Sequence, residues 1–139
     1  MGSWGILPFE NDNALDNLPL FEGANCDGIH GMLLFGIESR REDIAVMSIA
    51  IIDAIANGID ESIIPKYSSA YNDVSKIIEE CAKDIYIDEL VKEALSEVCR
   101  YIYIGNETGW FDWEERLKLL EYLKCRLERK EKKKYDDEV

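Results

Sequence analysis

The apolar residues of this chain recur at helical spacing, and one stretch stands out from the rest. From Ile44 to Ala56 only Ser48 and Asp53 interrupt a run of apolar residues. Apolar positions cover almost the whole circumference of such a helix, which predicts the central helix of a domain. Its start is marked by Ser39-Arg-Arg-Glu42, the pattern of a capping box with Ser39 as N-cap. Its end is marked by Asn57-Gly58, a pair suited to a left-handed stop. The run is shorter than the roughly 20 residues that cross a bilayer, so it reads as a buried core helix.

Amphipathic helices follow. Val74, Ile77, Ile78, Cys81 and Ile85 share one face and predict a helix from about Ser69 to Asp84. Asp88 is placed to cap the next, which turns Val91, Ala94, Leu95, Val98 and Ile102 inward and stops at Gly105-Asn106. The last starts at the capping-box pattern Asp112-Trp-Glu-Glu115 and directs Trp113, Leu117, Leu120 and Leu127 to the core. Earlier, Asn11 or Asp12 caps a short helix that Pro19 stops near Leu18. The stretch from Gly23 to Ile37 fits a strand, a short helix or a packed loop, because glycines at 28, 31 and 36 punctuate its apolar residues. Ile59 to Lys66 adds at most one turn before Pro65. Short connections make neighbours antiparallel. The expected fold is all-α: one domain over residues 1–139, a compact bundle of about five helices closed by an aromatic N-terminal loop. The charged run from Arg126 to Val139 reads as a fraying helix end and a solvated tail, frayed over about 130–139.

Composition narrows the classes. With 139 residues, 47% hydrophobic and 32% charged, the chain is long enough to bury one core. Met1 to Phe9 holds no basic residue and no apolar run of signal length. That reads as a cytoplasmic protein in which Cys26, Cys81, Cys99 and Cys125 stay reduced, the last three as small core hydrophobes. The net charge is −13, and its distribution is uneven. Seven of the 16 basic residues lie between Lys124 and Lys134, which leaves residues 1–123 at −15. So acidic a body repels nucleic-acid phosphates. The same field speeds docking with a basic protein.

The most distinctive segment is Gly2-Ser-Trp-Gly-Ile-Leu-Pro-Phe-Glu-Asn-Asp-Asn-Ala-Leu-Asp16. Read physically, Trp4 and Phe9 cover one end of the core, Gly2 and Gly5 permit unusual backbone angles, Pro8 fixes the entry to a helix, and Asn11 and Asp12 take up its orphan N–H groups. Asp12 and Asp16 stand one turn apart and would give a divalent ion two ligands, too few without others that no motif supplies. This opening resembles that of a bacterial family, domain-of-unknown-function family 4259. Its members begin with Gly-x-Trp-Gly, then Pro-Phe, Asn-Asp, Ala and Asp. The matching positions are Gly2, Trp4, Gly5, Pro8, Phe9, Asn11, Asp12, Ala14 and Asp16. Where the family commonly has a third glycine before the proline, this chain has Ile6-Leu7. The resemblance implies a small helical protein without an assigned activity, of a kind found as candidate immunity proteins beside toxin genes.

Elsewhere the chemistry is sparse. His30 is the only histidine, with Cys26 four residues before it, and neither a hydrolase triad nor a four-ligand zinc pattern forms around them. No catalytic, metal or cofactor site is expected. Asp53 is an acid in an apolar helix, so it requires hydrogen-bond donors; the N-terminal loop, through the Trp4 indole or main-chain N–H groups, is the expected source. Glu89, Glu93 and Glu97 form a stripe along one helix, and Glu79, Glu80 and Asp84 a cluster on the preceding one. These six acids are the candidate partner-binding residues. The expected function is non-enzymatic binding of a basic protein, as an immunity protein that neutralises a cationic toxin such as a nuclease. The rivals are a divalent-metal hydrolase built on helix carboxylates, and a structural or regulatory subunit of a homo-oligomer.

Overall fold

A computed structural model describes residues 8, 18–21, 26–81, 86–108 and 113–137. Within them are five α-helices and no strand: α1 (Cys26–Glu38), α2 (Glu42–Asn57), α3 (Ala70–Cys81), α4 (Ile87–Thr108) and α5 (Trp113–Asp137), preceded by a 3₁₀ turn at Leu18–Phe21. The all-α bundle is thus the observed architecture. α2 is its axis, packed against α1, α3, α4 and α5, while α4 and α5 also pack on each other. Every residue from Ile44 to Ala54 except Val46 is buried, which is what an apolar circumference requires.

The ambiguous stretch from Gly23 folds as α1 from Cys26 onward. Its glycines do not break it, and Gly36 explains one of them. A Cβ at Gly36 would sit 2.7 Å from the Ala45 main-chain nitrogen. Only hydrogen fits where α1 crosses α2 so closely.

Ser39 does not cap the central helix. It closes α1. Arg41 N–H donates to Gly36 O at 2.8 Å and Arg40 N–H to Ile37 O at 3.2 Å, while Arg40 takes φ +55°. That is a Schellman turn with arginine in the left-handed position. These N–H groups already satisfy the last carbonyls of α1, so α2 begins later, at Glu42. The Arg41 side chain makes no capping bond, and Asp43 Oδ1 accepts the Ile44 N–H at 3.1 Å. At the other end α2 stops where Asn57-Gly58 predicts. Gly58 has φ +86° and ψ 160°, and its N–H donates to Ala54 O at 2.8 Å.

α4 corrects the sequence reading at both ends. It starts at Ile87, which puts Asp88 in its first turn, and it runs through buried Gly105 to Thr108. One helical glycine costs about 1 kcal/mol relative to alanine, too little to end a helix that buries Leu90, Val91, Ala94, Val98 and Tyr101. α5 begins at Trp113 as predicted. It buries Leu119, Leu120, Leu123 and Leu127, and leaves Leu117 half-buried. Cys81 is in the core, whereas Cys99 and Cys125 are exposed rather than apolar packing, and none of the three forms a disulfide. Of the short helix expected from Asn11 or Asp12 to about Leu18, only Leu18 is described, and it begins the 3₁₀ turn that contains Pro19.

Candidate functional site

Where α2 ends, one arginine gathers the polar groups. The C-terminal stop releases the chain at Gly58, and Asp60 then starts a turn. Asp60 O accepts the N–H groups of Ile63 and Ile64, each at 2.9 Å. Asp60 Oδ1 accepts Ser62 N–H at 2.8 Å and Ser62 Oγ–H at 2.6 Å. Ile63 and Ile64 are buried beneath this turn, which pins Asp60 above α5. Tyr122 and Arg126, one turn apart on α5, rise to meet it. Arg126 Nε donates to Asp53 Oδ1 at 3.1 Å and Oδ2 at 2.8 Å. Nη1 donates to Asp60 Oδ2 at 3.2 Å, and Nη2 to Gly58 O at 2.8 Å. Tyr122 donates its hydroxyl to Asp60 Oδ2. Asn57 Nδ2 closes the ring, donating to Asp53 Oδ1 at 3.0 Å and to Arg126 O at 3.2 Å.

Asp53 is therefore buried, as its apolar setting requires, at 2% exposed. Among the described residues its donors are Arg126 and Asn57; the N-terminal loop named from the sequence lies outside them, Pro8 excepted. The Arg126 side chain is 12% exposed, so it is not part of a solvated tail. Burial raises the Asp53 carboxyl above the ordinary 3.8, against the pull of Asn57 and Arg126. For Asp60, desolvation also pulls upward, but Ser62, Tyr122 and Arg126 together outweigh it and hold the group below 3.8. Arg126 loses some solvation and gains more from Asp53 and Asp60, so its cation is favoured. With two carboxylates, a phenol and a carbonyl around one guanidinium, every arginine nitrogen has an acceptor. The arrangement ties α5 to the end of α2.

The acids expected to bind a partner divide into two sets. Glu79 and Glu80 are exposed on α3, which packs on α2 and the 3₁₀ turn. Glu89 and Glu93 are exposed on α4, and Glu97 is half-buried. Glu93 Oε2 lies 2.9 Å from His30 Nε2, so this acid joins α4 to α1. Glu97 accepts Arg100 Nη1 at 3.3 Å. Its charge also helps burial push the Tyr101 hydroxyl up to about 12. Within the α4 stripe, Glu89 alone stands outside these contacts. Asp84 lies outside the described residues, as do Trp4, Gly5, Phe9, Asn11, Asp12 and Asp16; Pro8, from the same signature, is buried.

Among the described residues, no three of His, Cys, Asp or Glu come together as a metal-binding group. Nor is any described helix long and apolar enough to cross a membrane. Sequence reasoning missed Arg126, Tyr122, Asn57 and Asp60. The signal was present in part: a lone acid in an apolar helix demands a cation, and Tyr122 and Arg126 lie four apart beside the leucines of α5. No family model, curated protein or solved structure matches this chain.

Proposed function

We propose that this protein is a non-enzymatic binding protein that engages a basic protein partner through acids on the outside of α3 and α4. Its concrete form is an immunity protein that covers the substrate-binding face of a cationic toxin such as a nuclease. The observation that supports this reading most directly is the exposure of Glu79, Glu80 and Glu89 on two helices of a body carrying −15 over residues 1–123. These side chains stand in water, where an acidic surface steers encounter. The Arg126 centre serves the reading by holding the rigid scaffold on which the acids ride.

The test is surface interferometry against cationic nucleases and against the product of the adjoining gene, over a range of salt. Glu79→Lys, Glu80→Lys and Glu89→Lys together should slow association about tenfold at low salt and much less at high salt. An association rate indifferent to the triple reversal overturns the proposal. Glu93 and Glu97 are poorer choices, since they also hold His30 and Arg100.

One observation favours a second reading. Leu34 and Phe35 are 40% and 44% exposed, side by side on the outer face of α1, as a subunit of a homo-oligomer would have them. Light scattering distinguishes the two: a second acidic copy associates better as salt rises, a basic partner worse.

A further inference from the structure

Asn57 and Gly58 occupy the centre of the tie between α2 and α5, and their chemistry gives that tie a covalent weakness. We propose that Asn57–Gly58 is a latent modification site: the Asn57 amide converts spontaneously to a carboxylate, the Arg126 centre holds this conversion in check, and once it has occurred the centre is driven open.

The reaction needs only water. The Gly58 main-chain nitrogen attacks Cγ of Asn57 and a new N–C bond closes a five-membered succinimide. The Asn57 amide nitrogen leaves as ammonia, carrying away the proton that Gly58 gives up. Water then opens the ring at either carbonyl, and yields aspartate or isoaspartate. Glycine is the neighbour that hinders this attack least, because no Cβ shields its nitrogen. Asn57 is exposed, so water reaches it.

Four hydrogen bonds restrain the step. The attacking Gly58 N–H is engaged with Ala54 O at 2.8 Å. The Asn57 carboxamide is held by two bonds from Nδ2, to Asp53 Oδ1 at 3.0 Å and Arg126 O at 3.2 Å. Gly58 O is in turn held by Arg126 Nη2 at 2.8 Å, which anchors the residue whose nitrogen must swing toward Cγ. Local opening of this region therefore precedes reaction.

After conversion the same geometry turns repulsive. A carboxylate at position 57 replaces the donor that faces Asp53 Oδ1 and Arg126 O, so acceptor meets acceptor and charge meets like charge. Isoaspartate also lengthens the main chain by one methylene just before Gly58, whose carbonyl Arg126 holds. The change is irreversible without repair, so the site records how often the α2–α5 tie has opened.

The experiment is peptide mapping by mass spectrometry after incubation of the full chain at mildly alkaline pH. Asn72 and Asn106, exposed and followed by Asp73 and Glu107, are internal references. Folded protein should convert Asn57 slowly, and denatured chain about tenfold faster or more. Arg126→Ala should move the folded protein toward the denatured rate. If that variant does not fold, Asp60→Asn, which removes one anchor, should produce a smaller acceleration. Made directly, Asn57→Asp should lower the melting temperature. Equal rates in folded and denatured chains would overturn the protective role. So would a folded Arg126→Ala or Asp60→Asn that ages like the parent. A melting temperature unchanged in Asn57→Asp would overturn the opening of the tie.

Discussion

Arg126 Nε reaches both carboxylate oxygens of Asp53, at 3.1 and 2.8 Å, from 73 residues further along the chain. The pair is held away from water, and removing one member leaves the other uncompensated. Breaking such a pair costs about 3 kcal/mol or more. Asp53→Ala should therefore lower the melting temperature by roughly 10 °C. Asp53→Asn should cost less, because an amide oxygen still accepts from Nε. Replacing both members with apolar residues, Asp53→Leu with Arg126→Met, should recover most of the loss, since apolar substitutes of similar volume often match a buried pair. Thermal unfolding of the four proteins decides the point. A double variant no better than Asp53→Ala would show that Gly58 and Asp60, not Asp53, are the partners on which Arg126 depends.

Asp53 and Arg126 differ in how much the periodicity of the chain reveals of them. The apolar run around Asp53 is enough to predict its burial, because no side of that helix is left for water. Its partner is harder to read. Arg126 stands in a basic run, where charge composition suggests solvent, and only the i, i+4 pairing with Tyr122 beside Leu123 and Leu127 points inward. Ser39 misleads for another reason. Ser-x-x-Glu spacing satisfies a capping box, yet a left-handed Arg40 gives the same residues to the end of the preceding helix. Residue type argues against that conformation, and only the crossing at Gly36 and Ala45 reveals it. The glycine at 105 misleads in the opposite sense, because a helix with a continuous buried face absorbs it. Of the acidic stripe, composition reads the exposure of Glu89. It does not read that Glu93 and Glu97 are occupied by His30 and Arg100.

The two aspartates beside Arg126 give acid titration two opposite signs. Asp60 has a folded value below 3.8, so its contribution is fully present above 3.8 and is lost as pH falls through the lower folded value. Asp53 has a folded value above 3.8. There the folded state binds the proton more readily than the unfolded chain, and its contribution improves as pH falls through that raised value toward 3.8. Urea midpoints against pH should show that Asp60→Asn removes part of the loss below 3.8, whereas Asp53→Asn removes a gain just above it. Parallel pH profiles for parent and Asp60→Asn would contradict the assignment for Asp60.

Arg40 carries a left-handed backbone, φ +55°, that side chains adopt at a cost. Its N–H contributes to the turn that ends α1, but that bond needs no side chain. Arg40→Gly keeps the bond and relieves the strain, with some loss to the greater freedom of glycine in the unfolded chain. The balance should be a gain of about 0.5–1 kcal/mol. Arg40→Val should lose stability, since a β-branched residue suits this conformation least. Equal denaturant midpoints for the two variants would mean that the chain escapes the left-handed turn in solution.

Three glycines differ in what a side chain would meet, so a single substitution at each should give three results. Gly31 lies in the exposed face of α1, and a Cβ there meets nothing within 4 Å. Gly31→Ala should stabilise by about 0.5–1 kcal/mol through helix propensity alone. Gly58 also has open space around it, but its φ of +86° with ψ 160° belongs to a region that is nearly glycine's alone. Gly58→Ala should cost roughly 1–3 kcal/mol as backbone strain, and should also shift Gly58 O from Arg126. Gly36 has an ordinary helical backbone and no space, with Ala45 N 2.7 Å from the would-be Cβ. Main chain cannot yield as a side chain does, so Gly36→Ala must push α1 from α2, at about 1–3 kcal/mol. Pairing Gly36→Ala with Ala45→Gly would remove the Ala45 Cβ, at 3.1 Å, but leave the 2.7 Å approach to its nitrogen. The pair should therefore stay destabilised. Full rescue by Ala45→Gly would mean that side chains, not backbones, set the distance between these helices.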